Sequence, residues 1–199
     1  MLRYIALFKP FNVLSSFTHE EKTSDSLPAK RTLSEFNLPK GVYAAGRLDF
    51  DSEGLLILSD DGGFIHRVTD PQHKLSKVYY AQVEGVPTDT LLVPLRHGLR
   101  IKDYVTKPCQ AHILPDAPIL PERDKPITPH GPTAWLELIL TEGKKRQVRH
   151  MTAAIGLPTL RLLRMAIGPV QLGTLAVGTW RDLTPTEVRS FGRGSERSL

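Results

Sequence analysis

The sequence predicts an α+β fold on a mixed, mostly antiparallel sheet, and two observations carry that expectation. Segments with strand patterning and segments with helix patterning follow one another irregularly, without the βαβ rhythm of a parallel sheet. One stretch, Leu55-Leu56-Ile57-Leu58, is apolar without interruption, as a strand covered on both faces must be.

Taken in order, Arg3 to Phe8 reads as a first strand, ended at Lys9-Pro10 because proline removes a ladder donor. Residues 15 to 31 are polar and form a surface loop. An acidic turn bracketed by Gly46 and Gly54 leads into the apolar run, and Asp60, Asp61, Gly62 and Gly63 then offer a turn and an N-cap for a helix through about Thr69. Lys77 to Glu84 alternates as a half-buried strand. Thr88 caps a helix to Leu95 that Pro94 keeps short or bends.

Residues 115 to 132 hold six prolines and almost no periodicity, the composition of an ordered extended loop or a mobile insertion. The strand Ala134 to Leu140 follows, ended by Gly143. Lys145 to Ile155 then carries Val148, Met151 and Ile155 at helical spacing, closed by Gly156 at C′ with Pro158 beyond. The opposite face would present Lys145 beside Arg149 and Arg146 beside His150. Leu160 to Leu172 reads as paired strands turning at Gly168-Pro169, and Trp180 to Phe191 as a strand and a short helix. We expect residues 1–190 to form one domain of two lobes and 191–199, ending GRGSERSL, to be a disordered tail.

At 199 residues with a formal net charge of +5 and a pI near 9.4, the chain favours an anionic partner. Nucleic acid stands ahead of membrane, because no basic amphipathic anchor is evident. Charge is also unevenly spread: Gly143 to Val170 contains no acidic residue, yet Lys144, Lys145, Arg146, Arg149, Arg161 and Arg164 all fall there. The single cysteine, Cys109, excludes an internal disulfide, and in the strand-like PCQAHIL it reads as a small buried residue. The seven histidines show neither HExxH nor a cysteine partner, so no catalytic metal is expected. The N-terminus has too short an apolar stretch for a signal peptide, so a cytoplasmic protein is expected.

The richest segment is GRLDFDSEGLLILSDDG, residues 46 to 62. Asp49, Asp51 and Glu53 crowd its turn, but spacing by two does not set the opposed carboxylates of a glycosidase. Asp60-Asp61-Gly62-Gly63 lacks the later ligands of a calcium loop. On its own Asp49 reads as a turn carboxylate, Arg149 as a solvated or phosphate-contacting charge, and Tyr79 as core.

The segment resembles the motif around the catalytic aspartate of the pseudouridine synthases, in the branch that modifies ribosomal RNA. FKPFNVLSSF, KVYYAQVEG, EGKKRQVRHM and LRLLRMAIG also stand in that family's order, so the resemblance runs from about Tyr4 to Leu183. It implies the pseudouridine synthase fold: a curved sheet in two lobes with a central RNA-binding cleft. It implies Asp49 as the catalytic residue, Arg149 of RQVR as its ion partner, Tyr79 of the KxY motif against the uracil ring, and no cofactor.

Making pseudouridine means breaking the N1 to C1′ bond, turning the base while it stays bound, and joining C5 to C1′. A carboxylate can serve as nucleophile at C6 or C1′, or as a base at C2′, and the residues leave these open. A cation is needed to keep a buried carboxylate ionised. Arg47 is expected near the RNA backbone, and Lys144, Lys145, Arg146, Arg161 and Arg164 at phosphates.

Two departures stand out. Many relatives carry a small N-terminal RNA-binding domain, whereas here the first catalytic block begins by Tyr4, so no separate domain of that kind is expected. Where close relatives have a basic residue after GRLD, this chain has Phe50. The expected partner is large-subunit (23S) ribosomal RNA, naked or in assembly intermediates, met by a monomer without an obligatory protein partner. The alternatives are an RNA-binding ribosome-assembly factor without catalysis, a pseudouridine synthase acting on another RNA, or, more distantly, a glycoside or nucleoside hydrolase.

Overall fold

The computed structural model describes residues 2–18, 30–101, 103–123 and 125–192. In chain order they form β1 (Tyr4–Lys9), β2 (Tyr43–Ala44), β3 (Glu53–Ser59), α1 (Gly62–Thr69), β4 (Lys77–Glu84), α2 (Asp89–His97), β5 (Arg100–Ile101) and β6 (Tyr104–Val105). There follow β7 (Gln110–Leu114), β8 (Thr133–Leu140), α3 (Gln147–Ala154), β9 (Thr159–Ile167), β10 (Val170–Gln171), β11 (Trp180–Asp182) and α4 (Pro185–Ser190). Among the described residues no helix is long and apolar enough to cross a membrane. Two compact units result, residues 1–73 with 169–199 and residues 74–168.

In the first unit β1 runs antiparallel between β11 and β3, with Ile5 opposite Asp182 on one side and Leu58 on the other. All seven residues of β3 are buried, as its apolar run requires. The short β2 pairs with its far end, Tyr43 opposite Ser59. Helix α1 begins where expected: the Asp61 carboxylate accepts from the Phe64 N–H at 3.0 Å and from the Tyr4 hydroxyl at 2.9 Å. These bonds hold that carboxyl below the usual range, the Phe64 amide first and the Tyr4 hydroxyl next. Fully buried Phe64 meets Tyr4 and Phe191 edge-on at 4.8 and 5.1 Å. Phe191 is therefore core rather than the start of a tail; residues 193–199 lie outside the described residues, as does the 19–29 part of the polar loop.

The second unit is an antiparallel sheet in the order β9-β4-β8-β7, with β4 in unbroken register against β8 from Lys77–Leu140 to Glu84–Thr133. A separate hairpin pairs β5 with β6. Thr88 caps α2 through the Leu91 N–H. The helix runs to His97, past Pro94, whose side of the helix is exposed. Leu92 and Leu95 are fully buried, and the Arg96 guanidinium donates twice to the Ala111 carbonyl on β7, at 2.8 and 3.0 Å. Cys109 lies just before β7, where burial pushes its thiol up to about 11. The proline-rich segment has no regular structure among its described residues, yet it is held: the Gly85 N–H donates to the Pro132 carbonyl at 2.8 Å and the Arg161 guanidinium to the Pro121 carbonyl at 2.8 Å.

Helix α3 starts two residues later than its pattern suggests. Arg146 sits in the left-handed region at φ 54°, ψ 28° as the residue before the first turn, so neither Lys145 nor Arg146 lies on the helix. The expected pairs with Arg149 and His150 are not helical neighbours. Val148 and Met151 are buried as expected, and Ile155 falls past the end. There Gly156 (φ 79°) completes a Schellman motif: its N–H donates to the Ala153 carbonyl and that of Leu157 to the Thr152 carbonyl.

Replacing Asp61 with alanine should cost about 1 kcal/mol, the usual loss for an N-cap. Because the native carboxyl titrates low, that contribution is complete above the unfolded carboxylate range and disappears as pH falls through the native value. Urea melts of both proteins at neutral and acid pH should show the two curves converging on acidification.

Candidate active site

Asp49 lies in a tight turn leading into β3, closed by the Ser52 N–H donating to the Asp49 carbonyl at 3.0 Å. The turn is anchored from three sides. The Ser15 hydroxyl donates to the Leu48 carbonyl at 2.8 Å, and the Leu48 N–H donates back to the same oxygen at 3.0 Å. Leu48 is itself buried, and Ser52 and Glu53 behind it are sealed. On the other side Gly46 takes φ 89°, a conformation that favours glycine, and an added Cβ would make ordinary contact with the Thr69 methyl at 3.6 Å. The result is a half-buried Asp49 beside an exposed Arg47.

Sequence reasoning passed over two supports of this turn. Lys9 is fully buried, and its ammonium donates to the carbonyls of Pro10 at 2.9 Å and Val13 at 2.8 Å, which ties down the segment carrying Ser15. Buried lysine is costly unless hydrogen-bonded, and these two bonds offset that cost. Phe50, which stands where a basic residue was expected, has the Lys30 ammonium 5.4 Å from its ring centre, so a cation lies at this position through a cation–π contact.

In the second unit, Lys77, Tyr79, Ala81 and Val83 share one face of β4. Tyr79 is buried directly opposite Arg164 of β9, itself 3% exposed. Directly paired residues point to the same side, so an aromatic ring and a guanidinium share this face. Lys77 joins them, its ammonium pushed down by burial first and by repulsion from Arg164 second.

Arg161 does not belong to that group. The β4–β9 ladder shifts register between Val78 and Tyr79 and again between Gln82 and Val83. Between the shifts Arg161 pairs with Gln82, on the opposite face, where it holds the Pro121 carbonyl. The two arginines expected at phosphates therefore face opposite ways, and both are buried.

The remaining cations surround the start of α3. Lys144 and Lys145 are exposed and Arg146 is half-buried. Their loop is built on Glu142, which accepts from the Lys107 N–H at 2.8 Å and from the Gln147 side-chain amide. The Gln147 carbonyl oxygen in turn accepts from the Lys144 N–H at 2.9 Å. The Lys144 ammonium sits 3.8 Å from the centre of the Tyr104 ring. On α3, Arg149 donates to the Thr159 carbonyl at 3.1 Å, and the hydroxyls of Thr152 and Thr159 bond at 2.7 Å. These bonds dock the helix on the start of the strand that carries Arg164.

The model of the RNA pseudouridylate synthase family matches residues 3–154. The chain belongs to this family, and it is accordingly an isomerase with the pseudouridine synthase fold. A protein from Xanthomonas axonopodis pv. citri (strain 306), named ribosomal large subunit pseudouridine synthase E, is 55% identical over 174 residues, 86% of this chain and 89% of that protein. One of the same name from Vibrio vulnificus (strain CMCP6) is 45% identical over 185 residues, 92% of this chain and 76% of that one. A crystal structure of a pseudouridylate synthase superposes with a TM-score of 0.77 at 28% identity, covering 96% of this chain and 74% of its own.

If Ser15 holds the turn as its paired bonds indicate, Ser15→Ala should lose about 1–3 kcal/mol, the range for leaving buried amide groups unsatisfied. Turnover should fall while RNA affinity stays near that of the parent, since Ser15 lies under the turn. Denaturant melts and single-turnover assays on the same preparations separate the two effects.

Proposed function

We propose that this chain isomerises one uridine of large-subunit ribosomal RNA to pseudouridine, with Asp49 as the catalytic carboxylate. The observation that carries the reading is the half-buried Asp49 on a turn locked to fully buried β3. An RNA-binding protein without catalysis has no use for an acidic side chain so rigidly held beside an exposed arginine, because carboxylates repel phosphate. The substrate rests on the extent of identity to relatives named for the large subunit.

In this reading Tyr79 offers its ring to the extruded uracil, and Arg149 is the cation that keeps Asp49 ionised. The reaction is a rearrangement within one nucleotide, so it calls for neither an electron carrier nor a group donor. Arg47, Lys144, Lys145 and Arg146 contact phosphates, which position RNA without reading its sequence. Specificity comes from the shape of a folded RNA segment and from its splayed bases. The burial of Arg164 beside Tyr79 suits a contact within the base pocket, and that of Arg161 suits support of the proline-rich segment.

Asp49→Asn should leave folding and RNA affinity nearly intact and abolish tritium release from C5-labelled uridine; retained turnover would remove Asp49 from its role. Arg149→Ala should lower turnover more than binding. A loss confined to binding, with a shallower salt dependence, would instead make Arg149 a phosphate contact. Naked large-subunit RNA should be modified at one mapped position and assembled subunits only poorly. Reaction confined to small-subunit or transfer RNA would overturn the substrate while leaving the chemistry intact.

A further inference from the structure

At the C-terminal end of α1, three side chains outside the site just described converge. His66 and Asp70 are four residues apart along the helix and its cap, and His73 lies in the short 3-10 turn Pro71–His73 that follows. One ligand atom from each lies within 4.8 Å of the others. Backbone bonds fix the spacing, the Asp70 N–H donating to the His66 carbonyl at 2.8 Å and the His73 N–H to the Asp70 carbonyl at 3.1 Å. The two carboxylate oxygens of Asp70 are differentiated. Oδ1 accepts from the Gln72 N–H at 2.8 Å, and Oδ2 is turned to His66 Nε2 at 3.6 Å. A carboxylate oriented through one oxygen while the other faces the His66 imidazole is the support that metal ligands ordinarily receive from their surroundings.

We infer that His66, Asp70 and His73 bind a divalent transition-metal ion of the zinc class. Two imidazoles and one carboxylate suit zinc, cobalt or nickel and not magnesium or calcium, which take oxygen ligands. Zinc held at about 2.0–2.2 Å by each donor needs the donors within about 3.5 Å of each other. The two histidines are exposed, so their side chains have room to turn toward a shared ion. Three protein ligands leave the remaining positions to water. The ion would clip the end of α1 to the turn after it, next to Thr69 and hence to the Gly46 side of the Asp49 turn. Its role is bracing, separate from the isomerisation chemistry.

The test is titration of the metal-free full chain with zinc chloride by calorimetry, with cobalt absorption spectra reporting imidazole ligation and thermal melts reporting stabilisation. One ion per chain is expected, with melting raised as metal is added. His66→Ala, His73→Ala and Asp70→Asn should each weaken binding by more than the about 10-fold that losing an outer-shell partner costs, whereas His112→Ala, an exposed histidine on β7, should leave it unchanged. Circular dichroism establishes that the exposed substitutions keep the fold. Absence of saturable binding, or unaltered one-to-one binding in the His66→Ala/His73→Ala double variant, overturns the inference.

Discussion

The first unit depends on the sealing of β3. A strand buried along all seven residues cannot slip or tilt without exposing apolar surface at about 25 cal/mol per Å², so both turns at its ends inherit fixed positions. At one end sits Asp49, at the other Asp61, which starts α1. Helix α1 then brings the Thr69 methyl to the side of Gly46 where a side chain would stand. Asp49 is thereby held still, yet not sunk into the core, one turn outside the most buried element of the unit.

The second unit handles charge differently. Its cations are not a uniform basic surface. Arg164 lies beside Tyr79, Arg161 is turned to the other face of the sheet, and the lysines before α3 stay in solvent. The division of the two arginines follows from alternation, since Arg161 and Arg164 are three apart in the regular stretch between the two register shifts of the β4–β9 ladder. With Val78 opposite Ala166, the shift before Tyr79 places an extra residue on β9 and so decides that Arg164, not Arg161, shares the Tyr79 face.

What the sequence made legible follows the range of the interactions. Caps and turns depend on residues a few positions apart, so Asp61, Thr88 and Gly156 were readable, as was β3 from its composition and β4 from its alternation. The start of α3 was not, because Arg146 is held left-handed by a loop organised around Glu142, Lys107 and Gln147, contacts that no periodicity encodes. Which of Arg161 and Arg164 shares the face of Tyr79 was hidden for the same reason, since a bulge leaves no mark in composition. The motif order singled out Asp49, Arg149 and Tyr79 as candidates, while the support from Ser15 and Lys9 became visible only through hydrogen bonds. His66, Asp70 and His73 escaped because their spacing straddles a helix end and matches no short motif.

The first unit is also discontinuous in the chain: β1 lies between β3 and β11, and its pairing of Ile5 with Asp182 joins the two ends of the sequence. During synthesis the second unit has all of its own residues once Gly168 has been made. Strand β1 and the Asp49 turn must wait for β11 and α4, which come much later in the chain, before their sheet and the Phe64–Phe191 contact can close. Nascent chains stalled before Trp180 would carry every residue of the GRLD segment and still lack one edge of the sheet that steadies it. Completion of the Asp49 turn's sheet is thereby tied to synthesis of the segment through Phe191.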